Sequence, residues 1–368
     1  MIKKILCVSA AAAAVIFVIL LNDIDFAPLI NSEGKTYAKA QVTEILRDNL
    51  IEDGTRVGRQ EVVVRILSGE YKGREFTASS SSAYLYGADC RVGMRVMVTI
   101  SEHNGNYTVS VAGYYRAYPL YVIIGLLFLS LYIIGGRKGI LSAVGLIFTF
   151  ITIFFVYLPL IYRGYSPFLA AVISCSATTA VTLYLLGGKS VKTFAAVSGT
   201  VSGVVLAGIF AFVFCKITDI SGLNVSEIDE LAFIAANTKI KPGELLFSGI
   251  LIASLGAVMD VAMTIASACE EINRQNPALT SKQLFKSGMN VGKDAMGTMS
   301  NTLILAFAGS SINMLVTLYA YNYPYMYTIN LLSVGIEIIK SVSGSMAIIY
   351  TVPLTAFLSS VIYKKHCK

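Results

Sequence analysis

Gly249-Ile250-Leu251-Ile252-Ala253-Ser254-Leu255-Gly256-Ala257-Val258-Met259-Asp260-Val261-Ala262-Met263-Thr264 sets one carboxylate among fifteen uncharged residues. The run lies within a longer apolar segment, 245 to 269, and roughly 20 apolar residues cross a hydrocarbon core about 30 Å thick. Gly249, Ala253, Gly256, Asp260, Thr264, Ser267 and Glu271 recur at three- and four-residue steps. On a helix this period gathers them on one small, polar face, expected to pack against protein or a cavity and to avoid lipid. An ionisable group at such depth is costly, which makes Asp260 a functional candidate by default.

The rest of the chain repeats the apolar pattern. Its 368 residues are 55% hydrophobic and 14% charged, with a mean hydropathy of +0.68, against about 25% charged in soluble domains. A disordered chain, a disulfide-rich secreted scaffold and a soluble enzyme are excluded on these grounds. Ile5 to Leu21, after Lys3 and Lys4, has the layout of a signal peptide but no convincing small-residue cleavage site, so an uncleaved anchor is expected. Seven more apolar segments follow at 118 to 135, 139 to 162, 167 to 187, 191 to 215, 245 to 269, 295 to 318 and 327 to 363. The last would be some 55 Å long as one helix, so a division near Gly344 is expected. Leu223 to Asn237 reads as an amphipathic helix on the outer face, capped by Ser226 with Asp229 three residues on.

Between the anchor and these segments, period-two alternation marks five strands at Lys39 to Leu46, Glu61 to Ser68, Arg74 to Ser79, Arg95 to Ser101 and Tyr107 to Gly113. Asn104-Gly105-Asn106 supplies a hairpin turn between the last two. The fold class expected is therefore an α-helical polytopic membrane protein of about eight crossings, with a small extracytoplasmic β-barrel of the OB or SH3 type after the first helix. The domains expected are an anchor and linker (1–34), the β-domain (35–116), the membrane domain (117–363) and a tail (364–368).

The net charge of +7 records orientation. Lys3, Lys4, Arg137, Lys138, Lys189, Lys192, Arg274, Lys282, Lys286, Lys293, Lys364, Lys365 and Lys368 fall on one side, against Arg163, Lys216, Lys239 and Lys241 in the opposite short loops. The positive-inside rule then places both termini in the cytoplasm and the β-domain outside. From Glu33 to Glu102 ten basic residues (Lys35 to Arg95) balance ten acidic ones, so no phosphate-tracking stripe and no nucleic-acid partner is expected. Partners expected are the lipid bilayer and either a membrane protein or a second copy of the chain.

A second polar stripe runs through Asn290, Asp294, Gly297, Asn301 and Ala308, with Thr298, Ser300 and Thr302 beside it. Counted from cytoplasmic ends near Glu270 and Asp294, Asp260 lies about 15 Å deep and Asn301 about 10 Å deep, so Asp260, Thr264 and Asn301 are expected to meet near mid-membrane. Pro353, on the last helix, reaches a similar depth and can free a backbone carbonyl there. The group reads as a proton- or cation-responsive polar path formed by Asp260, Thr264, Asn301, Asp294 and Asn290, with Gly249, Gly256 and Gly297 as helix-packing positions. The alternative is a structural aspartate bonded across a tight helix pair. Glu337 and Lys340, three residues apart, read as an interfacial ion pair. His103 and His366 are the only histidines, so neither a zinc site nor a Ser-His-Asp triad can be assembled; no metal, cofactor or enzymatic activity is expected. Gly187-Gly188-Lys189-Ser190 imitates the end of a P-loop, but the first glycine of that motif would stand at Leu183 in a membrane segment.

Gly256 to Met263, Leu284 to Asp294, Met296 to Ser311, Glu337-Ile338-Ile339-Lys340 and Thr351-Val352-Pro353-Leu354-Thr355-Ala356 together resemble the YibE/F family of bacterial multipass membrane proteins. The resemblance implies an inner or plasma membrane location. The function expected is that of a permease or ion-coupled transporter, the alternative being an accessory or scaffold subunit that contacts partners through the outward β-domain.

Overall fold

A computed structural model describes residues 17–24, 29, 34–50, 58–81, 87–103, 105–221 and 228–366. The chain divides into two compact units, one of Pro28–Ser130 and one joining Met1–Ala27 to Leu131–Lys368.

The first unit holds β1 (Lys35–Arg47), β2 (Arg59–Ile66), β3 (Glu75–Ser81), β4 (Arg95–His103) and β5 (Asn106–Tyr114), closed in the order β1-β2-β3-β5-β4. The long β1 pairs antiparallel with both β2 and β4, bending at two register shifts between Val42 and Arg47. β3 runs parallel to β5 over Ala78 to Ser80. This strand order selects the OB alternative over the SH3 one. Alternation fills the bore with small side chains: Ala38, Ala40, Val42, Val62, Val64, Ala78, Val96, Val98, Val109 and Val111 are buried. The turn residue Gly105 sits at φ 78°, as the hairpin needs, while Asn104 lies outside the described residues.

Two buried polar side chains seat the segment before β4. Gln60 Nε2 donates to the Cys90 carbonyl at 3.0 Å, and the Cys90 amide donates to Gln60 Oε1 at 2.9 Å. Ser80 Oγ donates to the Ala88 carbonyl at 2.7 Å and accepts from the Ala88 amide. Each is satisfied, so neither carries the penalty of an unpaired buried group.

Five stretches among the described residues are long and apolar enough to cross a bilayer: 117–162, which begins in the first unit and ends in the second, 167–187, 191–217, 242–275 and 332–364. A sixth is available if α7 (Ser281–Ser310) and α8 (Ile312–Ala320), bent by 63° at Ser311, count as one span. The first stretch comprises α1 (Ala117–Thr152), a π turn (Ile153–Tyr157) and α2 (Leu158–Tyr162). It breaks at Gly136, at φ 51° and ψ −130°. A Cβ at Gly139 would collide with the Leu131 carbonyl, although eight residues along a straight helix are about 12 Å apart. The chain therefore folds sharply there. Further helices are α3 (Pro167–Gly187), α4 (Val191–Ile217), α5 (Ile228–Asn237), α6 (Leu245–Gln275), α9 (Tyr325–Asn330) and α10 (Leu332–His366). Gly187 to Ser190 form the turn between α3 and α4, where the Ser190 hydroxyl caps the Thr193 amide.

The division expected near Gly344 falls instead at Leu331, an extended residue at ψ 131° between α9 and α10. Gly344 lies inside α10 because the helix needs it for packing: a Cβ there would reach Leu303 Cδ2 at 2.7 Å. α10 also runs through Pro353 without a break. Most of the expected anchor lies outside the described residues, which begin at residue 17 with a helical stretch at 17–22, and so does the Ser226 cap. Asn22 Nδ2 donates to the Phe155 carbonyl at 2.8 Å. That acceptor is available because Pro159, four residues on, has no amide hydrogen.

On the barrel, Tyr71 donates to Glu102 Oε2 at 2.8 Å and meets Phe76 and Tyr107 edge-on. The carboxylate beside it, with burial second, pushes the Tyr71 phenol up to about 12. Between the ordinary value of 10.0 and that point the folded barrel holds a proton the unfolded chain releases, so its stability falls as pH rises through this window. Alkaline titration followed by tyrosinate absorbance should lose one late-titrating tyrosine when Glu102→Gln returns Tyr71 toward 10.

Candidate functional site

The helices meet through small residues. α10 packs against α4, α6 and α7, and its buried face sets the small residues Ser343, Gly344, Ser345, Ala347, Thr351, Thr355, Ala356 and Ser359 among the larger Ile336, Ile339, Ile348 and Val352. Gly199 and Gly203 of α4 lie against Thr355 and Thr351; a Cβ at Gly203 would also come within 2.8 Å of Val258 Cγ1. Gly288 and Gly292 of α7 take the other side, where added Cβ atoms would reach Ala356 Cβ at 3.1 Å and collide with Val352. Each pair is a glycine-x-x-x-glycine step, which lets backbones approach closely.

This packing decides where the polar stripes go. α6 buries Ile250, Leu251, Ser254, Leu255, Val258, Val261, Ala262, Ile265, Ala266 and Cys269. The opposite edge, Gly249, Ala253, Gly256, Asp260 and Thr264, is exposed. α7 starts from a reciprocal Thr280–Gln283 capping box and buries only Leu284, Gly288, Gly292 and Leu303. Asn290, Asp294, Gly297, Thr298, Asn301 and Thr302 are exposed.

The stripe was expected to pack against protein or a cavity, and within the protomer its glycines pack against no other helix. A Cβ at Gly249, Gly256 or Gly297 would meet no atom within 4 Å. The close contacts belong to Gly199, Gly203, Gly288, Gly292 and Gly344 instead. The two glycine-x-x-x-glycine steps are legible in the sequence, whereas their partners on α10 are not. Among the described residues, the side chains of Asp260, Thr264, Asn290, Asp294 and Asn301 form no hydrogen bond or ion pair, with one another or with other groups. Thr298 and Thr302 turn their hydroxyls onto their own helix, at the Asp294 and Thr298 carbonyls, 3.1 and 2.9 Å away.

Charges near the helix ends are paired by contrast. Lys192 Nζ lies 3.1 Å from Glu270 Oε2, Arg274 lies 2.8 Å from Glu271, and Lys364 donates to the Pro277 carbonyl at 2.8 Å. Glu337 and Lys340 form an ion pair at 2.8 Å, with Glu337 Oε2 buried and unbonded. Among the described residues no three His, Cys, Asp or Glu side chains gather as a metal cluster. Sequence reading also left Arg163 as a loop charge. Its guanidinium donates to the carbonyls of Leu20, Leu21 and Asp23, closing the C-terminal end of the helical stretch 17–22.

Long apolar helices built on small-residue contacts, with an OB-type barrel ahead of them, define a polytopic membrane protein. Residues 123–365 match the family described as YibE/F-like protein, and the chain belongs to that family. No curated protein matches the chain. No solved structure matches it.

The two classes of glycine separate in a stability experiment. Gly203→Ala and Gly292→Ala each insert a Cβ into occupied space and should cost about 1–3 kcal/mol, read as lower thermal melting in detergent micelles. Gly249→Ala and Gly256→Ala should melt as the parent does. Equal losses in both sets would contradict the assignment.

Proposed function

We propose that the protein is a permease-type, ion-coupled transporter of the bacterial inner membrane, with a transport rather than a catalytic role. The observation that carries this reading is the unpartnered carboxylate of Asp260, with Thr264, on an exposed edge of a membrane-length helix. A carboxylate in hydrocarbon costs several kcal/mol, roughly 2.5–3.5 by insertion scales. Such an edge is stable in a bilayer when water or a second protein surface covers it. In this reading Asp260 takes up and releases a proton or cation, and Thr264, Asn301, Asp294 and Asn290 supply oxygens along the path.

The topology proposed has eight crossings. Dividing the first stretch at Gly136 and counting the bent α7–α8 pair as one gives seven segments after the barrel, and the N-terminal anchor adds the eighth. The Lys and Arg asymmetry supports cytoplasmic termini and an outward barrel. Glu337 and Lys340 then lie near the outer interface.

A second reading is favoured by the openness of the same edge: the chain is an accessory subunit of a membrane complex, and a membrane-protein partner or a second copy of the chain covers the edge while the barrel contacts envelope components. Proton flux separates the two. Purified protein in proteoliposomes carrying an internal pH dye should show flux under an imposed potential, and Asp260→Asn should lower it about tenfold or more, with Asp260→Glu retaining part. Unchanged flux in an Asp260→Asn variant that melts normally would contradict the transport reading.

A further inference from the structure

A cavity of about 520 Å³, separate from the Asp260 edge, opens where the helical stretch 17–22 ends. Its wall carries Asp23, Arg163, Asn237, Thr238 and Lys239. The volume falls in the range of about 300–1,000 Å³ usual for small-molecule sites.

Two cations and one carboxylate line it, and their supports are built in. Arg163 is held by three backbone carbonyls, through Nε to Leu21 at 3.2 Å and Nη2 to Asp23 at 2.8 Å and to Leu20. Among the described residues its Nη1 has no acceptor, so a pre-positioned pair of N–H donors remains for a ligand. The loop bearing Lys239 is fixed as well. Thr238 Oγ1 donates to the Ile234 carbonyl at 2.7 Å and accepts from the Ile240 amide at 3.3 Å, and Asn237 Nδ2 donates to the Phe233 carbonyl at 2.8 Å. Gly164, at φ 90°, lets the Lys239 backbone come so close that a Cβ would lie 2.9 Å from Lys239 Cβ. Among the described residues neither the Lys239 ammonium nor the Asp23 carboxylate has an ion-pair partner.

We infer that this cavity binds a small molecule carrying a phosphate and a primary ammonium. The phosphate sits between Arg163 and Lys239, and the ammonium faces Asp23. The side chains sum to one net positive charge, which a phosphate monoester bearing one ammonium complements, since the phosphate carries about −1.5 to −2 at neutral pH. A free aminoalkyl phosphate and a lipid headgroup of the same kind share this chemistry.

The test uses the full chain in phosphatidylglycerol nanodiscs, titrated with O-phosphoethanolamine by calorimetry. Saturable binding is expected, weakened about tenfold by Lys239→Ala and about tenfold by Asp23→Asn, while Lys239→Arg retains it. Inorganic phosphate should bind more weakly and be indifferent to Asp23→Asn. Both variants should melt as the parent does without ligand, since neither side chain has a partner to lose. In phosphatidylethanolamine nanodiscs, loss of the soluble binding identifies the headgroup as occupant, and unchanged binding identifies the free ester. Absence of saturable binding, or parental affinity in both Lys239→Ala and Asp23→Asn, would overturn the inference.

Discussion

The approach of α4 and α7 to α10, made at Gly199, Gly203, Gly288 and Gly292, is the constraint on which the membrane unit depends. In a bilayer the lipid tails are as apolar as leucine, so helices associate through van der Waals packing rather than through hydrophobic burial. That packing accumulates only when backbones come close. Threonines 351 and 355 fill the space the α4 glycines leave, and Val352 and Ala356 fill the space left by those of α7. Thr351 meanwhile bonds its hydroxyl to the Ala347 carbonyl at 2.7 Å, so its polarity is spent within its own helix. α10 thus sits at the centre with serines, threonines and alanines at its close contacts and Ile348 and Val352 buried between them, and α6 turns its aliphatic side inward against the same group.

The exposed polar edge follows from this arrangement. Once Gly288 and Gly292 bind α7 to α10, the positions on the other side of α7, Asn290, Asp294, Gly297 and Asn301, face away. Once Leu251, Val258 and Ile265 of α6 are buried, Gly256, Asp260 and Thr264 face away too. Some polar groups elsewhere find partners: hydroxyls on their own backbones, end charges in ion pairs, Gln60 and Ser80 across the barrel. Ser174, Thr179, Thr182, Ser343, Ser345 and Thr355, by contrast, bury hydroxyl oxygens that have no hydrogen-bond partner among the described residues. Asp260 differs from them in being an unpaired carboxylate on the exposed edge of a membrane-length helix. An ionisable group so placed is where function is expected.

The barrel and the apolar segments were legible because each rests on a local period. Alternation in Val62, Val64 and Ile66, or in Val96, Val98 and Ile100, specifies a strand with one buried face, and the observed strands overlap every expected one. The polar stripes were equally legible as stripes. Their surroundings were not, because a helical period states which residues share a face and not what that face meets. Gly256 and Gly203 look alike in sequence, yet one is open and the other lies against Thr351. The break at Leu331 was missed for a related reason: Gly344 looked like the weak point of a long helix, but its lack of a side chain serves Leu303. Arg163 gave no local signal at all, since its three carbonyl partners are some 140 residues away in sequence.

The central claim is that one polar edge of α6 and α7 stays outside the helix packing and is wetted. Single cysteines at Gly256 and Asn301, and a control at Val258, placed in a chain whose native cysteines have been replaced, can be treated in intact membranes with a small water-soluble thiol reagent. The account predicts rapid modification at Gly256→Cys and Asn301→Cys and protection at Val258→Cys. Equal protection at all three positions would contradict it.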